Sequence, residues 1–193
     1  MRQLISGKSG LLALGLSVVA GAAQAHALGV PHTDFATGFG HPLGGLDHVL
    51  AMVAVGLWAA QLGGRALWWV PLTFVLAMAV GGFLGISLPM VEMGIAGSVL
   101  VLGVLVALAS RLPLAASMAL VGVFALFHGY AHGAEMAAES SALWYSLGFM
   151  LATALLHGAG IGVGLTARSG MTARLVRLGG AAIAASGALL LAG

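Results

Sequence analysis

The chain contains no cysteine, which excludes disulfides and thiolate metal sites. Charge is also scarce, since Asp, Glu, Lys and Arg together make up 6% of the 193 residues. The basic residues stand singly in connections and form no stripe, so a pI of about 9.7 does not indicate nucleic acid as a partner. There is no phosphate-binding loop for nucleotide hydrolysis and no H-E-x-x-H, and no connection is long enough to form a catalytic domain outside a membrane. Apolar residues fill the chain instead. They amount to 61% of it, with a mean hydropathy of +1.10. A soluble domain of this size cannot hide so much apolar surface, and several runs reach the ~18–20 residues that cross a hydrocarbon core. The fold class this implies is all-α, a polytopic helical protein in a lipid bilayer. The 31 glycines fit helices packed closely through small-residue faces.

Residues 1–25 have the layout of a secretory signal peptide: Arg2 and Lys8, then an apolar stretch from Leu11 to Ala23, then Ala23-Gln24-Ala25 as the cleavage site. An uncleaved first transmembrane helix is the alternative. Residues 26–40 are polar enough for an external arm at the interface. A single six-helix transmembrane domain is expected over 26–193, with helices at about 43–62, 66–88, 93–110, 113–134, 142–167 and 173–192. With the mature N-terminus outside, Arg65, Arg111, Arg168, Arg174 and Arg177 all fall in cytoplasmic connections, and the opposite ones carry Glu92 and Glu139. That is the positive-inside distribution. Six helices in a bacterial inner membrane, both mature termini periplasmic, is the expected topology.

Two clusters carry the chemistry, and this topology sets both on the external side. HPLGGLDHVLAM, residues 41–52, puts His41, Asp47, His48 and Met52 at the mouth of the first apolar run. Pro42 suits a first helical turn, so His41 is expected to cap the first helix, with His48 two turns on and on nearly the same face. Gly44 and Gly45 would let a helix or an ion approach. FHGYAHGAE, residues 127–135, sets His128, His132 and Glu135 on one face of the fourth helix, with Gly129 and Gly133 leaving room beside them. Ionisable groups at membrane depth are costly, and the default reading is an ion path. Imidazole and carboxylate donors suit a divalent transition metal. The competing readings are a buried polar tie between helices for Asp47 and His48, and a proton relay or hydrogen-bonded core for the second cluster.

His157, alone in the middle of the fifth apolar run, is either a satisfied core residue or a second station on an inward route. Gly158/Gly162 and Gly160/Gly164 beside it have the spacing of helix contacts. Cleavage after Ala25 would make His26 the N-terminus, where its α-amine and imidazole could chelate a metal and, with His32, pass it to His41. A loose chain end is the bland alternative. Trp58, Trp68, Trp69 and Trp144 are expected at membrane interfaces.

HPLGGLDH fits H-x(5)-D-H, and FHGYAHGAE fits F-H-G-x-A-x-G-x-E. Together, in a six-helix frame with a signal and a histidine in the fifth helix, they resemble the HupE/UreJ family of nickel and cobalt permeases linked to hydrogenase and urease maturation. The resemblance implies metal-transport roles for His41, Asp47, His48, His128 and Glu135. His132 fills a variable position of the pattern and rests on helical spacing. On this reading the protein is not an enzyme and holds no permanent cofactor, and Ni2+ or Co2+ is its substrate. An intramembrane His/carboxylate metalloenzyme is the alternative from another class.

Overall fold

Within hydrocarbon, a chain can satisfy its backbone hydrogen bonds as helices or as closed β-barrels, and no alternating barrel pattern competes with the long apolar runs here. The computed structural model describes residues 34–83, 88–135, 141–167 and 169–193. Among them, all regular structure is helical: α1 (Asp34–Gly44), α2 (Leu46–Leu62), α3 (Ala66–Phe83), α4 (Val91–Leu108), α5 (Leu114–Glu135), α6 (Ala142–Thr166) and α7 (Gly170–Ala192). The signal segment, His26 and His32 lie outside the described residues.

Helices α3 to α7 are each long and apolar enough to cross a membrane. α1 and α2 pass the same test only as a pair, bent by 84° at the break between them. The apolar surface points outward as well as inward. Trp68 is 76% exposed, and Leu46, Leu178 and Leu189 are similarly open. In water such faces would drive aggregation; against lipid tails they are in their own solvent. α2 runs through the middle and packs on α1, α3, α4, α6 and α7. Its Ala51, Met52, Ala54, Val55, Trp58 and Ala59 are fully covered. The principal pairs around it are α3 with α5, α4 with α7, and α2 with α6.

Residues 34–40, expected in an external arm, belong to helix α1, which is laid on α6. Asp34 ties its start to α6, accepting a hydrogen bond from the Ser141 backbone N–H at 2.8 Å. The second helix begins at Leu46 rather than near 43, because Gly45 is extended (φ −105°, ψ 120°) and ends the turn. His41 therefore does not cap it; it sits in the last turn of α1 beside Pro42. A further correction concerns Trp58. It is buried within the bundle rather than facing lipid or water, and its indole N–H donates to the Ser110 carbonyl at 2.8 Å.

Candidate metal site

The break at Gly45 shapes the site. A Cβ there would meet Asp47 Oδ1 at 2.7 Å and His48 Nδ1 at 3.0 Å, so the room left by this glycine is filled by the acid–imidazole pair itself. Asp47 and His48 open α2. Asp47 Oδ1 accepts from the His48 backbone N–H at 2.7 Å and pairs with His48 Nδ1 at 2.8 Å. A carboxylate partner fixes the imidazole tautomer, with the proton on Nδ1 and the lone pair on Nε2. That Nε2 is buried and has no hydrogen-bond partner.

α5 brings His128 and His132 against this pair. The His48 ring centroid lies 4.7 Å from that of His128 and 4.4 Å from that of His132, edge to face in both cases. His41, from α1, meets His132 at 4.8 Å. Four imidazoles from three helices thus form one contiguous cluster. His128 is fully buried, and a residue not singled out in the sequence determines its proton: Ser98 of α4. The Ser98 hydroxyl donates to the Ile95 carbonyl at 2.6 Å, so its contact with His128 Nε2 at 2.9 Å leaves the serine as acceptor. The imidazole is then protonated on Nε2, and its Nδ1 carries a buried lone pair without a partner. Two orphaned acceptors in one cluster are the donor chemistry a cation seeks. The only sequence signal for Ser98 was a hydroxyl in the middle of an otherwise apolar run.

Gly129 and Gly133 do not leave space for an ion. A methyl at Gly129 would collide with the Met78 carbonyl, and one at Gly133 with the Gly82 carbonyl; α3 occupies that room. Aromatic rings wall the cluster: Phe149 lies 4.1 Å from His132, and Phe74 lies 5.6 Å from His128. A cleft of about 70 Å³, lined by His132, Tyr145, Gly82 and Met78 among others, opens beside it. Glu135 is the last residue of α5, and its side chain lies outside the described part. Among the described residues, no three His, Asp or Glu side chains already stand as a ligand set for one ion. His157 is not in the cluster. It lies against Phe74, whose ring centroid is 5.2 Å from its own.

The family model described as HupE / UreJ protein matches residues 14–190. Protein HupE of Rhizobium leguminosarum bv. viciae is 48% identical over 187 residues, covering 95% of each chain. No solved structure matches. The chain therefore belongs to the HupE/UreJ family, membrane proteins of transport and accessory function, and the metalloenzyme alternative is set aside.

Proposed function

We propose that the protein carries a divalent transition-metal ion, nickel in the first place and cobalt in the second, inward across a bacterial inner membrane to supply hydrogenase or urease maturation. The carrying observation is the four-imidazole cluster, in which His48 Nε2 and His128 Nδ1 are buried acceptors without partners. A metal gives each lone pair a partner, which removes a penalty of roughly 1–3 kcal/mol per unsatisfied group. In this reading His41, His48, His128 and His132 supply nitrogen donors, Glu135 adds a carboxylate, and Asp47 orients His48 and leaves its second oxygen for the ion. α1, hinged at Gly45, moves His41 to complete the shell.

The topology proposed with it has a cleaved signal at 1–25, six crossings counting α1 and α2 as one, and both mature termini in the periplasm. His26 then starts the mature chain as a capture point. With no nucleotide motif, the membrane potential drives entry. A doubly charged ion crossing ~100 mV gains about 4.6 kcal/mol. The test is radionickel accumulation in cells against an excess of cobalt, zinc or iron. His48→Ala and Glu135→Gln should each reduce accumulation to the level of cells lacking the protein, with the variant still present in the membrane. Normal uptake in His48→Ala would refute the site.

A further inference from the structure

We propose that His157 is a second resting place for the transported cation, linked to the four-histidine cluster by the ring of Phe74, which lies against both. The proposal rests on the metal-carrier reading above and adds a station to it.

His157 is 1% exposed, and neither of its ring nitrogens has a hydrogen-bond partner. A neutral imidazole has one donor and one acceptor, and leaving buried polar groups unmade is costly, whereas an apolar side chain of similar shape removes that cost. Packing alone would therefore be served better by leucine. The residue is also held in place. A methyl at Gly56 would collide with the His157 carbonyl, and one at Gly160 with the Val53 carbonyl, so α6 is seated on the α2 backbone at this level. Of the glycine pairs flagged around it, Gly160 and Gly164 make this contact, while Gly158 and Gly162 face open space.

The position relative to the cluster is what makes His157 a station rather than an oddity. Phe74 of α3 touches both sides: its ring lies 5.6 Å from His128 and, edge to face at 88°, 5.2 Å from His157. His128 and His157 are thus at most about 11 Å apart, both set against the same phenyl ring. One helical turn from these residues stand Met78 and Thr153, both buried, with the threonine hydroxyl 3.8 Å from the Met78 sulfur. The cleft beside His132 is also lined by Met78. Donors therefore lead from the cluster to His157, and they are fewer than in the cluster: a thioether, a hydroxyl and one imidazole. Such a set favours late first-row ions over magnesium or calcium. It also binds more weakly than a shell of several imidazoles, as a site that must release its ion requires. An ion moving from one station to the other passes alongside Phe74, and the stronger cluster fills first.

The test uses full-length protein in detergent micelles, titrated with cobalt(II) alone and followed by its visible absorption, alongside radionickel accumulation in cells and thermal unfolding. Wild type should fill in two steps. His157→Leu should keep the first step, lose the second, unfold no earlier than wild type and accumulate nickel at least ~10-fold less. His157→Gln, which restores a weak donor, should recover part of the loss and serves if the leucine variant is poorly made. Wild-type accumulation by His157→Leu, or an unchanged two-step titration, overturns the proposal and leaves the carrier reading standing. Absence of any cobalt binding by wild type overturns both.

Discussion

The two ends of the bundle use polar side chains in opposite ways. At the end where α4 finishes, Trp58 donates to the Ser110 carbonyl, Gln61 to the Val106 carbonyl at 3.0 Å, and Arg177 to the Ala107 carbonyl at 2.8 Å. A terminating helix leaves its last carbonyls short of backbone donors, and three side chains from two other helices bond to carbonyls at and just past the end of α4. Among the described residues there, Gln61 Oε1 is the buried polar atom left over. At the histidine end, the polar groups bind one another, and two of them keep acceptors that nothing fills. The first end is a fastening and the second a receptacle. In a protein with so few polar groups, what a buried one is bonded to separates support from function better than its mere presence does.

Three substitutions probe that contrast. The largest effect should come from Asp47→Asn. The amide keeps the size of the carboxylate but fixes the His48 tautomer less firmly, and losing such a partner costs ~10–100-fold in metal affinity. Nickel accumulation at limiting metal should fall by that order, and an unaffected rate would make Asp47 a mere packing contact. Ser98→Ala comes next. It removes one neutral hydrogen bond worth ~0.5–1.5 kcal/mol, so uptake at low metal should fall by roughly 2- to 10-fold and recover at high metal. If the change lowers thermal stability without touching uptake, Ser98 belongs with the fastenings. The smallest effect on transport should come from Trp58→Phe. Unfolding should be easier by about 1 kcal/mol from the lost indole bond, and uptake per molecule should be unchanged. A drop in uptake there would erase the distinction between the two ends.

Hydropathy made the helical class and the long runs legible, because lipid leaves the backbone few alternatives. The histidines stood out for the same reason of cost. Other features were hidden because residue types serve two purposes. Pro42 is as much at home in the first turn of a helix as beside a break, so the sequence alone set the start of α2 too early and put His41 on it. Gly129 and Gly133 read equally as room for an ion or as a groove for α3, and the second is what they are. Tryptophan fits an interface or a core with a partner for its N–H, and Trp58 has the core and the partner. Phe74 was invisible among apolar neighbours, since nothing local reveals which ring two distant histidines share.

The sharp turn at Gly45 has a further effect on the work of permeation. α2 has 17 residues and spans ~25 Å, less than the ~30 Å of a typical hydrocarbon layer, and His48 is already its third residue. A vestibule capped by α1 would let an ion shed its hydration water below the headgroups, against imidazole and carboxylate. The electrical drop then falls across a shorter insulating path, and the steepest part of the voltage acts on a cation that is already partly dehydrated.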